Sequence, residues 1–163
     1  MRKGNIYLYY GNGKGKTTLA IGQGVRAVGE GLNVVMVQFF DFNNNKDHVS
    51  LKRLEPNFRA FKFEKQRESV DETSREEIQD ELQLALKFSG KILETSECEV
   101  LILDGICDAI VAGFIDEKEV VDMIKDINDD MDIIISGNNK CEGIVEIADF
   151  VYSINKEKYS EKE

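Results

Sequence analysis

The residues with the densest chemistry stand near the start of the chain, in the run Gly11-Asn12-Gly13-Lys14-Gly15-Lys16-Thr17-Thr18. Glycines at alternate positions let a backbone take dihedrals that other residues avoid and turn several N–H groups towards one point. A lysine brings a point charge to phosphate oxygens, and a hydroxyl beside it can join Mg²⁺. The run therefore predicts a phosphate cradle formed by Gly11, Asn12, Gly13, Lys14, Gly15, Lys16, Thr17 and Thr18, with Thr17 on the metal. Lys14 has two readings, a phosphate contact or a solvated side chain. The strict pattern G-x-x-x-x-G-K-[ST] would need glycine where this chain has Tyr10, so the loop is a variant. The dinucleotide fingerprint G-x-G-x-x-G does not fit, because the third glycine comes one position early.

The second chemical position is Asp104, which ends the apolar run Val100-Leu101-Ile102-Leu103. A carboxylate at the end of a buried strand can reach Mg²⁺ directly or through water. The alternative is an N-cap for the helix that follows.

Positioning these groups requires strands and helices in alternation. Residues 5–10 are β-rich and stop at the glycines, and a helix is expected over residues 16–29, closed by Gly29-Glu30-Gly31. The near-continuous apolar run of residues 33–40 reads as a strand buried on both faces. A polar loop over residues 41–47 follows, with His48 as a lone exposed residue, and then a short helical segment before Pro56. Residues 58–63 alternate as a short strand. Residues 71–96 predict a long polar helix, since Ile78, Leu82, Ala85, Leu86, Ile92 and Leu93 recur at three- and four-residue steps. Strands are expected at 100–104, 132–135 and 150–154, helices at 106–112, 116–128 and 142–148, and a frayed charged tail at 156–163. The alternation implies an α/β fold with a mostly parallel sheet and helices on both faces, in which ligands bind at the carboxyl edge; with the phosphate loop it resembles the P-loop NTPase-like (RecA-like) kind. With no repeat and no linker, residues 1–163 read as a single domain.

Composition narrows the partners. The chain has 21 Lys+Arg against 31 Asp+Glu, a net charge of −10. That disfavours nucleic acid and anionic membrane, both polyanions. The charge is uneven, +6 over residues 1–63 and −16 over residues 64–163, so an anion site is expected near the N-terminal part. Three cysteines without a C-x-x-C pair form a poor disulfide framework and read as small buried residues in a reducing, cytoplasmic setting. The first apolar run, residues 6–10, is too short for a signal-peptide core. The longest nearly apolar stretch, residues 100–115, is broken by Asp104 and Asp108 and falls short of the ~20 residues of a membrane span.

Taken together, the run from Tyr10 to Thr18, Arg26-Ala-Val-Gly-Glu-Gly31, Val35-Met-Val-Gln-Phe39, Leu101-Ile-Leu-Asp104, Ile134-Ile-Ser-Gly137 and Glu146-Ile-Ala-Asp149 resembles the single-domain P-loop corrinoid adenosyltransferases, over most of the chain. The resemblance implies transfer of the 5′-deoxyadenosyl group of ATP to the cobalt of a reduced corrinoid with release of triphosphate. It also implies Mg²⁺, catalytic roles for Lys16 and Thr17, metal contact by Thr17 and Asp104, an electron-donor protein as a possible partner, and a cytoplasmic homodimer. Cob(I) is itself a strong nucleophile, so the lack of a catalytic triad or carboxylate pair is no objection. The polyanionic leaving group needs cations and N–H groups instead.

The chain departs from the family in several places. The usual Asp-Glu at the strand end is Asp104-Gly105, with Asp108 one turn on as a possible substitute. The usual Thr-Gly-Arg is Ser136-Gly137-Asn138, the Lys-Gly step after V-Q-F is Phe40-Asp41-Phe42, and the chain has no Trp. A short acidic tail replaces the C-terminal His-Pro-Phe segment. These departures fall on the substrate side, so ATP·Mg binding is expected to survive while corrinoid specificity or catalytic power changes. Two other readings stand beside this one: a catalytically weak or inactive nucleotide-binding relative with a regulatory or carrier role, and another small P-loop kinase or ATPase.

Overall fold

The structure, a computed structural model, describes residues 4–40, 49–65, 67, 71–125 and 130–160. The polar loop 41–47, His48 and Phe42 lie outside the described residues, as do 126–129 at the end of one expected helix and 161–163 of the tail.

Among the described residues the elements run β1 (Ile6–Tyr10), α1 (Lys16–Gly29), β2 (Val34–Gln38), a 3₁₀ turn (Val49–Leu54), β3 (Phe58–Lys62), α2 (Glu72–Thr95), β4 (Val100–Asp104), α3 (Ile106–Val111), α4 (Glu117–Lys125), β5 (Asp132–Gly137), α5 (Glu142–Ile147) and β6 (Phe150–Ser153). The strands form one sheet in the order β3-β2-β4-β5-β1-β6, with every neighbouring pair parallel. This is an α/β, P-loop NTPase-like fold.

Helix ends follow local chemistry. α1 stops where Gly31 takes φ +85°; its N–H donates to the Val28 carbonyl and that of Leu32 to Ala27, satisfying carbonyls at the helix end. Asp71 caps α2 by accepting from the Ser74 amide at 2.8 Å. At the other end Ser96 closes the helix in the left-handed region.

The pleat sends alternate residues to two cores. Leu8, Val35, Val37, Leu101, Leu103, Ile133 and Ile135 face the side covered by α2 and the later helices, with Ile78, Leu82 and Leu86. Tyr9, Val34, Met36, Val100, Ile102 and Ile134 face the α1 side. α1 packs close enough there that Gly24 fits only without a side chain, a Cβ falling 2.6 Å from Phe58 and 3.2 Å from Ile102 and Val34. α1 leaves β6 open. Phe150, Val151 and Tyr152 are exposed, and the two rings among them stack with β1 through Tyr7–Phe150 (5.2 Å) and Tyr9–Tyr152 (5.5 Å).

Among the described residues no helix is long and apolar enough to cross a membrane.

Candidate functional site

The sheet order places β4, β5 and β1 side by side, so their carboxyl ends form one continuous edge. Ser136 of β5 is level with Tyr9 of β1, and Gly137 with Tyr10, where the chain enters the glycine run. Leu103 of β4 pairs with Ile135, which brings Asp104 level with Ser136. Two positions 87 residues apart, Thr17 and Asp104, meet as a result: the Thr17 hydroxyl lies 2.9 and 3.1 Å from the two carboxylate oxygens.

Asp104 does not cap the helix after it. Gly105 is the N-cap of α3, and the Asp104 carboxylate accepts instead from Thr17 and from the Ser136 hydroxyl, the latter at 2.5 Å. Ser136 is buried and in turn accepts from the Gly105 amide at 3.1 Å. A chain of bonds thus runs from the Gly105 N–H through Ser136 to Asp104, with Thr17 closing it from the phosphate loop. Ser136 stood out in the sequence only as a departure at the Thr-Gly-Arg position. The signal that could have found its role is a hydroxyl placed directly after Ile133-Ile134-Ile135 at the end of a fully buried strand.

The phosphate loop is built differently at its two ends. The Gly11 amide donates to the Gly137 carbonyl at 3.3 Å and the Gly13 amide to the Ile154 carbonyl at 2.9 Å. The expectation that Gly11, Gly13 and Gly15 all aim their amides at one point is therefore corrected. Gly11 and Gly13 are glycines because the strand end comes so close: a Cβ on Gly11 would sit 2.1 Å from the Ile154 oxygen, and one on Gly13 2.9 Å from its side chain. Asn12 accepts the Lys156 amide at 2.9 Å, which fastens the loop to the chain after β6. Gly15, with φ +106°, turns the chain into α1. The opening turn of that helix, Lys16, Thr17 and Thr18, presents amides that lack an acceptor within the helix, and so forms the anion-facing end. Lys14 and Thr18 are exposed.

Lys16 is half-buried, with its ammonium donating to the Gly13 carbonyl at 2.8 Å. Burial pulls its pKa below the ordinary lysine value, opposed by the charges of Asp108 and Asp104. Asp108 accepts from the Asn138 amide at 2.8 Å and the Asn139 side chain at 3.3 Å, and burial holds its carboxyl above the ordinary aspartate range. The structure thus brings Lys16, Thr17, Asp104 and Asp108 to one side of the loop.

The oxygen donors of Thr17 and Asp104 are hard ligands of the kind Mg²⁺ takes, and one carboxylate with one hydroxyl leaves room for water and phosphate oxygens. Among the described residues no group of three or more His, Cys, Asp or Glu side chains is arranged to hold a metal. A cavity of about 790 Å³ runs along α1, lined by Tyr9, Leu19, Gln23 and Arg26, and takes in only Gly15 and Thr18 of the loop.

The family model of the ATP:corrinoid adenosyltransferases BtuR/CobO/CobP matches residues 2–163. The chain belongs to this family. It is 28% identical to the corrinoid adenosyltransferase of Escherichia coli K12 over 158 residues, covering 97% of this chain and 80% of the relative. It is 27% identical to the corrinoid adenosyltransferase CobA of Salmonella typhimurium, with the same coverage. The corrinoid adenosyltransferase of Pseudomonas aeruginosa is 27% identical over 166 residues, 98% of this chain and 79% of the relative. At the level of the family, ATP and a corrinoid are the substrates and an adenosyl group passes between them.

Gly105, directly after Asp104, is held in the left-handed region. Its φ is +78°, and a Cβ there would lie 2.9 Å from the Phe40 carbonyl oxygen. The backbone after Asp104 has thus taken a path that disfavours any side chain, glutamate included.

Proposed function

We propose that this corrinoid adenosyltransferase moves the 5′-deoxyadenosyl group of ATP to the cobalt of a reduced corrinoid and releases triphosphate. The reading is carried by the contact of Thr17 with Asp104 beside Lys16, at the mouth of the phosphate loop. In that reaction a cobalt electron pair forms the bond to the ribose C5′, and the C5′–O bond breaks with its pair going to the triphosphate. No protein base is needed to create the nucleophile. What the leaving group needs is charge stabilisation, and preorganised cations and N–H groups are the usual source.

The residues divide that work. Lys16 and the amides of the first turn of α1 bind phosphate oxygens and take up negative charge as the triphosphate leaves. Thr17 and Asp104 would hold Mg²⁺, which supplies further positive charge at the phosphates when bound. Ser136 keeps the Asp104 carboxylate turned towards Thr17. Asn12, tied to Lys156, keeps the loop closed against β6.

We further propose a cytoplasmic homodimer that receives its reduced corrinoid with the help of an electron-donor protein, all three on the strength of the family resemblance. Phe150 and Tyr152, exposed and stacked on one face of β6, are an apolar surface that such a dimer has available to bury.

A second reading, a nucleotide-binding relative with little or no transfer activity, is favoured by one observation. Beside Lys16 stands the carboxylate of Asp108, holding the Asn138 amide at the position where the resemblance implies an arginine. The wall near the phosphates is thus one cation poorer.

Anaerobic incubation with ATP, Mg²⁺ and chemically reduced corrinoid separates the readings. An adenosylcorrinoid spectrum with triphosphate as co-product is the expected result. ATP binding without turnover moves the protein to the second reading, and ADP with phosphate, or a phosphorylated acceptor, to a P-loop ATPase or kinase. Lys16→Ala should weaken ATP binding by about 10- to 100-fold, the worth of one charge-assisted contact. Unchanged affinity removes the phosphate-loop assignment.

A further inference from the structure

Two thiols lie side by side behind the phosphate site, and the adenosyl transfer uses neither. Cys107 sits on α3, one turn beyond Asp104, and is fully buried. Cys141 is the N-cap of α5, at the end of the turn that begins at Gly137, and is 4% exposed. The Cys141 thiol donates to the Cys107 carbonyl at 3.9 Å, and the two thiols are close enough to influence each other's ionisation. Both supporting elements are tightly seated. Gly137 packs so closely on Cys107 that a Cβ there would lie 2.5 Å from that of Cys107. The first amides of α5, on Gly143 and Ile144, are held by Glu117 at 2.7 and 3.3 Å. The third cysteine, Cys98, is buried just before β4, at the opposite edge of the sheet.

We propose that Cys107 and Cys141 form a reversible intramolecular disulfide, a modification site closing between α3 and the turn before α5, with a small-molecule disulfide such as oxidised glutathione as the oxidant. Cys141 is the attacking sulfur. It lies directly behind the exposed residues Asn138, Asn139 and Lys140, which is the side an oxidant reaches first. Its neighbour Cys107 pulls the Cys141 pKa down, while interaction with Cys141 and burial push Cys107 up, in keeping with Cys141 as the sulfur that reacts first. The Cys141 thiolate attacks one sulfur of the oxidant, forming a mixed disulfide and expelling one small thiolate. The Cys107 sulfur then attacks the Cys141 sulfur, expels the second small thiol and gives up its proton to it. Two protein thiols are oxidised and one small disulfide is reduced to two thiols.

The bond would act on the nucleotide site as well as on the sulfurs. It replaces a non-bonded contact with a covalent one and so draws α3 and the 137–141 turn together. Those two segments carry the Asp108–Asn138 bond beside Lys16 and the Gly105–Ser136 bond that orients Asp104. A site of this kind tolerates about 0.5 Å of displacement. This consequence rests on the ATP reading above; formation of the bond does not.

The test uses the whole reduced protein, equilibrated anaerobically in glutathione buffers of increasing oxidised fraction and then analysed by differential alkylation and peptide mass mapping. The expected product has lost two hydrogens, contains a Cys107–Cys141 linked peptide, keeps Cys98 as a free thiol on unfolding, and reverts in dithiothreitol. Cys98→Ser should form the same bond, and Cys107→Ser and Cys141→Ser should not. If either of the latter fails to fold, the wild-type map decides alone. Mixed glutathione disulfides without the linked peptide, pairing through Cys98, or oxidation seen only in denaturant overturns the site. ATP·Mg titration of both forms should show at least threefold weaker binding by the oxidised protein. A mapped bond with equal affinities overturns the link to the nucleotide wall, while failure of the reduced protein to bind ATP overturns the ATP reading and leaves the mapped bond standing.

Discussion

Replacing Ser136 by alanine removes one oxygen atom from the middle of the site while leaving the phosphate loop and both proposed metal ligands in place. The hydroxyl it deletes donates to Asp104 at 2.5 Å and accepts from the Gly105 amide at 3.1 Å. A hydrogen bond to a charged group contributes about 1.5–3 kcal/mol, and an amide left without its acceptor in a buried setting costs about 1–3 kcal/mol. The two share one atom and will not add fully, so the expected loss of stability is about 2–4 kcal/mol. The effect on binding is more specific. Asp104 keeps its bond from Thr17 but loses the one that fixes its second direction. ATP affinity in the presence of Mg²⁺ should therefore fall by roughly 3- to 10-fold, about 0.7–1.4 kcal/mol, whereas affinity without Mg²⁺ should stay within twofold. Urea unfolding gives the first quantity, and isothermal titration of ATP with and without Mg²⁺ gives the second. Ser136→Thr, which keeps the hydroxyl, should restore both. Equal weakening with and without Mg²⁺ would refute a role acting through Asp104, and so would a Thr variant as impaired as the Ala variant.

Gly105→Glu should destabilise the protein by about 1–2 kcal/mol or more, because a side chain would be forced into the left-handed region and against the Phe40 carbonyl; wild-type stability in urea would show the backbone to be freer than this. Gly24→Ala gains helix propensity worth about 1 kcal/mol but pushes a methyl group against Phe58, Ile102 and Val34, for a net loss of about 1–2 kcal/mol; a thermal midpoint at or above that of the wild type would contradict the packing. Arg67 grips Glu81 with bonds of 2.8 and 2.7 Å between largely buried side chains and holds the Glu81 carboxyl below its ordinary range. That stabilisation is complete above the unfolded-state pKa near 4.3 and is lost as the pH falls through the lowered folded value. Glu81→Gln should thus cost about 1–3 kcal/mol at pH 7 and progressively less below about pH 4, and a gap of equal size at pH 7 and pH 3 would place the effect elsewhere.

Much of this molecule is local enough to be legible in one dimension. Apolar runs of five residues separated by helical periodicity mark strands buried on both faces, and that pattern comes from the burial itself, so the order of the twelve elements and the parallel character of the sheet were readable. The expected long helix of residues 71–96 encloses α2 together with its two caps, because Asp71 is a good N-cap whatever surrounds it. Glycine, lysine and threonine at fixed spacing after a strand likewise identify a phosphate loop before any contact is known.

Which residues meet is a separate matter, settled by how strands far apart in sequence line up. Asp104 read as a metal ligand, with a helix cap as the alternative, until the register of β4, β5 and β1 set its carboxylate against Thr17. Ser136 has no local mark of its role, since the partners that define it lie about 30 residues away on a neighbouring strand. Gly11 and Gly13 looked like flexible donors of N–H groups. Only the packed sheet shows that the carbonyl of Ile154, some 140 residues away, takes one of those amides and leaves no room for a side chain at either position. Backbone propensity and solvent contrast act over a few residues and are written in the sequence; hydrogen-bond partners and close approaches are fixed by strand register, which exists only once the sheet has formed.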